Sequence, residues 1–146
     1  MKTITIRRKK KLGNALMPYW IITGMTKDAF KQAFHLPGDL VRRDQAGMPI
    51  SRLGSSLDDA VRILDALGTR IANGKTLVIE AEPTVQSVFA VSIDGVISNE
   101  IPIGNVEKYN LLLTPKGGWK TVSYPFLEEI EYDGNRKDSF EQSFDH

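Results

Sequence analysis

The best candidate for binding an anion is the junction between an arginine-rich loop and a predicted helix that begins near residue 56. Arg42, Arg43 and Arg52 lie in this loop, and Ser55 and Ser56 end it. The free N–H groups at a helix N-terminus attract negative charge, although the chain has neither the Walker pattern nor the glycine fingerprint of dinucleotide sites. We expect a binding site here, for a protein partner through the arginines or for a phosphate ligand at the serines.

Residues for other catalytic or metal chemistry are scarce. The chain has no cysteine and only two histidines, His35 and His146, which leaves a zinc site without its usual ligands. No Gly-x-Ser-x-Gly elbow is present, and Asp58 and Asp59 are neighbours in sequence, so their carboxylates do not converge on a regular element. We therefore predict no catalytic residue, no metal and no cofactor, and keep an enzyme with a site at residues 52–57 as an alternative.

Five consecutive basic residues, Arg7 to Lys11, follow a stretch in which Ile4 and Ile6 share one side. If one strand includes both segments, Arg8 lies on the isoleucine side and Arg7 on the opposite side, which splits the charge between two faces. The favoured interpretation is a strand edge whose lysines prevent edge-to-edge aggregation. A contact with an acidic partner is the second interpretation. Nucleic-acid binding through this strand is the third, and a net charge of +1 makes it the least favoured.

Hydrophobic periodicity predicts two strands and then two helices in the first half of the chain. Alternation indicates a strand at residues 3–6, and an apolar run indicates a second, largely buried strand at residues 17–23. Thr26 can cap the first helix, and Ser56 can cap the second. The residues expected on the buried faces are Ala29, Phe30, Ala33 and Phe34 in the first helix and Leu57, Ala60, Val61, Leu64 and Leu67 in the second.

Glycine-containing turns divide the second half of the chain into strands. The second helix ends either at Gly68 or at Asn73, and we favour Gly68, because Asn73-Gly74 can then form the turn of a hairpin. Asp94-Gly95 predicts another hairpin further on. The strands expected on this basis comprise residues 69–72, 75–80, 85–93, 96–103, 109–114 and 119–124.

These elements together predict one α+β domain. We expect an antiparallel β-sandwich of about six to eight strands, with a two-helix insertion between strands 2 and 3. The domain is expected to cover residues 1–126, with the insertion at about residues 24–68. Residues 127–146 are acidic and lack periodicity, which is typical of a flexible tail.

Three segments of the chain resemble those of small bacterial β-sandwich proteins related to PEGA-type and carboxypeptidase-regulatory-like domains. The segments are ITIRRKKKLGNALMPYWII, TRIANGKTLVIE and ISNEIPI. The resemblance covers about residues 2–23 and 69–114. The chain departs from the family pattern at residues 24–68, which replace a tight hairpin, and in EAEPTVQSVFA, which lacks the glycine and histidine of the G-x-H-x-I/V segment. The resemblance implies a scaffold for display and binding, with no shared catalytic residues.

Charge is distributed unevenly along the 146 residues. Residues 1–73 carry 13 Lys/Arg and 6 Asp/Glu, whereas residues 74–146 carry 6 Lys/Arg and 12 Asp/Glu. Oppositely charged halves can attract each other between copies, so self-association is expected beside a protein partner. No secretory signal and no membrane-spanning segment is expected. The predicted function is a non-enzymatic cytoplasmic binding module, with nucleic-acid binding through the basic strand as a further alternative.

Overall fold

The computed structural model describes residues 1–10, 17–34, 57–93, 95–117 and 124–130. The described residues form an α+β fold with eight strands and two helices. In chain order these are β1 (Lys2–Arg8), β2 (Tyr19–Ile22), α1 (Lys27–Ala33), α2 (Leu57–Leu67), β3 (Thr69–Ile71), β4 (Thr76–Ala81), β5 (Ser87–Ser92), β6 (Ile101–Pro102), β7 (Lys108–Lys116) and β8 (Tyr124–Glu129).

The first sheet has the strand order β4-β1-β7-β8. Strand β1 is antiparallel to β4, with Ile4 opposite Ile79, and β7 is antiparallel to β8. On its other side β1 is parallel to β7, with Ile6 beside Leu111. The expectation of purely antiparallel pairing is therefore wrong for this sheet. A long chain excursion separates β1 from β7, which allows the parallel crossover that a hairpin could not provide.

The second sheet has the strand order β3-β2-β5-β6, and all of its pairs are antiparallel. The expected hairpin around Asn73-Gly74 does not form, because β3 pairs with β2 whereas β4 pairs with β1. The turn itself is present: Lys75 N donates to Ala72 O at 3.1 Å, and Gly74 has a φ of 72°. It carries the chain from one sheet to the other. The long ladder of β4 with β1 determines its partner, since β3 offers only three residues.

The expected hairpin around Asp94-Gly95 is confirmed by the pairing of the segments that flank it. Ser92 N donates to Val96 O at 2.9 Å, Gly95 N donates to Ser92 O at 3.0 Å, and Gly95 has a φ of 84°. The returning chain makes a bridge to β5 through Ile97 and then forms β6. A glycine at a positive φ thus marks both turns, but only one of them is a hairpin.

One cluster of buried side chains draws members from both sheets. The first sheet contributes Ile4, Ile6, Ala81, Tyr109, Leu111, Leu113 and Leu127, and the second sheet contributes Tyr19, Ile21, Ile71, Val88 and Ala90. Every second residue of β2 and of β5 belongs to this cluster, because successive side chains of a strand point to opposite faces of the sheet.

The other side of β2 and β5 packs against the helices. Trp20, Ile22, Phe89 and Val91 form a second cluster with Phe30 of α1 and with Ala60 and Leu64 of α2. Both faces of β5 are consequently buried. Phe30 packs edge-on against Phe89, with ring centroids 5.5 Å apart. Burying a side chain of this size stabilises the fold by about 1.5–3 kcal/mol.

The helix boundaries follow from local capping. Thr26 accepts a hydrogen bond from Ala29 N at 3.2 Å and so caps α1 as expected. Ala29 and Ala33 are exposed, however, so the buried side of this short helix consists of Phe30 with Phe34 partly covered. In α2 the expected stripe is confirmed for Ala60, Val61, Leu64 and Leu67. This helix ends at Leu67 and β3 begins at Thr69, as the choice of Gly68 required.

The last described strand extends further along the chain than the expected end of the domain. Strand β8 continues to Glu129, past the boundary expected at residue 126, because Leu127 is buried in the cluster to which both sheets contribute. The expected tail beyond residue 130 and most of the strand expected at residues 119–124 fall outside the described residues. No helix among the described residues is long and apolar enough to cross a membrane.

Candidate interaction surface

The five residues expected to form the binding site, Arg42, Arg43, Arg52, Ser55 and Ser56, all lie outside the described residues. The described chain resumes at Leu57, the first residue of α2. The anion site at this junction therefore stays a prediction, and the candidate surface is built from the described strands instead.

The basic run begins with two arginines that have opposite surroundings. Arg8 lies on the same side of β1 as Ile4 and Ile6, as the alternation predicted, and it is 1% exposed. Its guanidinium donates to Ile71 O at 2.8 Å and to Met17 O at 2.7 Å, and Cζ lies 4.5 Å from the centroid of the Tyr19 ring. Arg8 thus ties β1 of the first sheet to the chain of the second sheet.

The buried position of Arg8 disfavours the charged form of its guanidinium. Burial lowers the pKa of the guanidinium, and the nearby Tyr19 opposes this shift. Its Nε atom has no hydrogen-bond partner. Two backbone carbonyls and one aromatic ring therefore hold the charged group at this position, which makes Arg8 a structural residue rather than part of a contact surface.

The interpretation of the basic run as a sheet edge is wrong for its described residues Arg7 to Lys9. Strand β1 lies between β4 and β7, and Lys9 N still donates to Leu113 O at 2.8 Å beyond the end of the strand. Both sides of this segment are occupied by neighbouring chain. Arg7 and Lys9 therefore point away from the core, on the side of the sheet opposite to Arg8.

These cations share that side with two aromatic side chains of β8. Lys116 lies opposite Tyr124, and Thr114 lies opposite Phe126 in the ladder between β7 and β8. Lys116 Nζ is 4.1 Å from the centroid of the Phe126 ring, within the range of a cation–π contact. Tyr124 is 43% exposed. We call the group formed by Lys9, Lys116, Tyr124 and Phe126 the cation–aromatic corner.

The rest of the outer face of the first sheet is mixed in character. Its half-exposed or exposed residues are Thr3, Thr5 and Arg7 on β1, Thr76, Val78 and Glu80 on β4, Asn110, Leu112 and Thr114 on β7, and Glu128 on β8. No element among the described residues packs on this face, whereas the helices cover the corresponding side of the second sheet. The cation–aromatic corner is the part of the face that combines aromatic area with positive charge.

A second polar group fastens α2 to the second sheet. Asp65 Oδ1 accepts from Trp20 Nε1 at 2.8 Å, and Asp65 Oδ2 accepts from Arg70 Nη2 at 2.6 Å. The hydrogen bond from Trp20, followed by that from Arg70, lowers the pKa of the Asp65 carboxyl. Arg70 Cζ also lies 5.4 Å from the Trp20 ring centroid. Trp20, Arg70 and Asp65 together attach α2 to the second sheet. The Asp65 carboxylate is therefore held in place rather than available to a substrate.

Other carboxylates are similarly engaged. Glu80 accepts from Thr3 Oγ1 at 3.0 Å across the β1–β4 ladder, and Asp59 forms an ion pair with Arg62 one helical turn away. Glu100 Oε2 accepts from both Ser87 Oγ and Lys27 N, each at 2.7 Å. Within the described part of the chain, no three His, Asp or Glu side chains come together in a way that could hold a metal ion.

The sequence interpretation missed the cation–aromatic corner. Large aromatic residues near strands usually pack in the core, and this rule would place Tyr124 and Phe126 there. The available signal was the alternation of YPFLEE, in which Pro125 and Leu127 point inward, so that Tyr124 and Phe126 must point outward. Trp20 and Tyr19 follow the rule and are buried in the core.

Comparison with protein-family models, with curated proteins and with solved structures finds no match to this chain. The geometry of the described residues is therefore the basis of the functional assignment.

Proposed function

We propose that the protein is a non-enzymatic, cytoplasmic interaction module that binds an acidic protein segment at the cation–aromatic corner. The scaffold is a β-sandwich in which the two helices are an insertion between β2 and β3. The resemblance of ISNEIPI and its companion segments to PEGA-type domains supports this view, since those domains are scaffolds for binding.

The observation that carries the proposal is the difference between the two sheets. The helices bury large apolar side chains such as Trp20 on one side of the second sheet, so this side is used for folding. On the first sheet Tyr124 and Phe126 stay accessible beside cations. Aromatic side chains such as tyrosine and phenylalanine are enriched at the energetic centre of protein interfaces. Charged side chains around them select a partner of opposite charge.

The chemistry of the corner selects a negatively charged partner. Lys9 and Lys116 supply positive charge, and the aromatic rings supply flat apolar area for a partner side chain. Lys116 is already positioned over Phe126, so less side-chain freedom is lost when an acidic group pairs with it. A segment with alternating carboxylates and an aromatic or aliphatic side chain satisfies both parts of the corner.

Titration with a synthetic acidic peptide tests this proposal. We expect a peptide of alternating glutamate and phenylalanine to bind the wild-type protein, with an affinity that decreases as salt is added. Tyr124→Ala and Lys116→Ala should each weaken binding by about tenfold, the loss typical of an interface hot spot. Lys108→Ala is the matched control, because Lys108 is an exposed lysine at the opposite end of β7.

Three outcomes would contradict the assignment. The first would be that the wild-type protein fails to bind the peptide. The second would be that Lys108→Ala weakens binding as much as Lys116→Ala. The third would be that a single-stranded oligonucleotide binds more tightly than the peptide under the same conditions. The last result would favour the alternative of nucleic-acid binding through the basic strand, whose Arg7 and Lys9 lie on this face.

A further inference from the structure

The four edges of the two sheets differ in how open they are to another strand. In the second sheet the edge strands β3 and β6 have three and two residues, too short to guide pairing. In the first sheet the edge strand β8 is blocked, because the side chain of Asn99 bonds to the backbone of Leu127 and Pro125 has no N–H to offer. The remaining edge strand, β4, has six residues.

Strand β4 presents a row of backbone groups that no described residue occupies. Arg8 N donates to Lys75 O at 2.9 Å, which establishes that odd-numbered residues of this segment, such as Leu77 and Ile79, bond to β1. The N–H and C=O groups of Thr76, Val78 and Glu80 consequently point away from the sheet. No residue of the described chain forms a hydrogen bond with these outward groups. Val78, at the middle of the row, is 57% exposed.

We propose that β4 pairs antiparallel with β4 of a second copy of this chain, with the two-fold axis at Val78. In this register Val78 lies opposite Val78 of the second copy, and Thr76 lies opposite Glu80. All three are residues whose backbone groups point outward, so the narrow hydrogen-bonded pairs of an antiparallel ladder can form. The two first sheets then make one continuous sheet of eight strands.

The side chains of β4 suit such a pairing on both faces. On the outer face the two valines cover each other, and the Thr76 hydroxyl meets the Glu80 carboxylate. The molecule already contains this combination, because Thr3 Oγ1 donates to Glu80 across the β1–β4 ladder. On the inner face Leu77 meets Ile79, which are both only partly buried in the isolated chain. No two like charges lie opposite each other, since Lys75 faces Ala81.

The neighbouring register is less suitable. A two-fold axis at Glu80 would place the two Glu80 carboxylates directly opposite each other and would pair Val78 with Glu82. Like charges directly opposed across a ladder are destabilising. The charge pattern of the strand therefore favours the axis at Val78, and this pairing is independent of the partner that the cation–aromatic corner binds.

Sedimentation of the full chain over a range of concentrations tests this inference. We expect the wild-type protein to dimerise, and we expect Val78→Lys alone and Val78→Glu alone to raise the dimer dissociation constant by about tenfold or more, because each places like charges on the axis. An equimolar mixture of the Val78→Lys and Val78→Glu chains should dimerise again, because opposite charges then meet at the axis.

Val106→Lys is the matched control, because Val106 is 59% exposed in a loop away from any sheet edge. This variant should dimerise like the wild type, and circular dichroism should show that all four proteins are folded. A wild-type chain that stays monomeric would overturn the inference. So would a Val78→Lys chain that dimerises as well as the wild type, or a mixture of the two charged variants that stays monomeric.

Discussion

The side-chain amide of Asn99 pairs with the backbone of Leu127 as a neighbouring strand would. Asn99 Nδ2 donates to Leu127 O at 2.7 Å, and Asn99 Oδ1 accepts from Leu127 N at 2.8 Å. The residues on either side of Asn99 make comparable connections: Ser98 Oγ accepts from Ala90 N, and Glu100 accepts from Lys27 N. Three successive residues thus link β5, β8 and the start of α1.

Removing the Asn99 amide should destabilise the protein more than its half-exposed position implies. Asn99→Ala leaves the N–H and the C=O of Leu127 without partners, and we expect a loss of about 2–3 kcal/mol in the free energy of unfolding. Urea denaturation followed by circular dichroism measures this loss. Asn110→Ala makes the same chemical change on the outer face and should cost less than about 1 kcal/mol. Equal losses in the two variants would show that the Asn99 pairing contributes nothing specific.

Truncation of the Arg8 side chain is expected to destabilise the protein. Arg8→Ala opens a cavity and strands the carbonyls of Ile71 and Met17, so we expect it to cost about 3 kcal/mol or more. Arg8→Met keeps most of the volume and removes the buried charge, so its loss should be clearly smaller. Lys9→Ala, an exposed position one residue along, should stay within about 0.5 kcal/mol of the wild type. Chemical denaturation of the three variants checks this order.

Local patterns predicted the elements of this fold better than they predicted the partners of those elements. The cap at Thr26, the end of α2 before Gly68 and the hairpin at residues 94–95 depend on neighbours in sequence, and all three are present. The Asn73-Gly74 turn is also present, but β4 pairs with β1 from the other end of the chain. A turn determines where the chain reverses. The apolar surface that a strand can cover determines which strand it joins.

The candidate surface was less predictable for a related physical reason. Whether Tyr124 and Phe126 face the core or the solvent depends on which residues of β8 point inward. The last strand was expected at residues 119–124, whereas β8 comprises Tyr124–Glu129. The strand expected at residues 109–114 stops short of Lys116, which is the last residue of β7 and lies over Phe126. The buried Arg8 was placed on the correct side of its strand. Its burial requires carbonyl acceptors at Met17 and Ile71, which no local pattern reveals.

The attachment of α2 should weaken in acid. The pKa of Asp65 is lower in the folded protein than in the unfolded chain, owing to hydrogen bonds from Trp20 and Arg70. A carboxyl of this kind stabilises the fold above its unfolded pKa of about 3.9, and its contribution is lost as the pH falls through the lower folded value.

Asp65→Asn separates the charge of this carboxylate from its role as an acceptor, because an amide oxygen can still accept from Trp20 Nε1. We expect the wild type to be more stable than this variant at neutral pH and the difference to shrink as the pH falls below about 4. Urea denaturation at a series of pH values measures the difference. A gap between the two proteins that is independent of pH would contradict the assigned role of the charge.

Gly68 should be intolerant of even the smallest side chain, because of the space around it and not because of its backbone angles. A Cβ atom at this position would lie 2.5 Å from Ile21 O and 2.6 Å from Ile22 Cδ1, so the backbone of β2 would have to move. We expect Gly68→Ala to destabilise the protein by about 1–3 kcal/mol, the usual cost of overpacking. Gly24→Ala provides the control, since a Cβ there meets nothing within 4 Å, and it should be neutral or slightly stabilising. Thermal unfolding of the two variants would show whether the close approach of Gly68 to β2, rather than helix termination alone, requires the glycine.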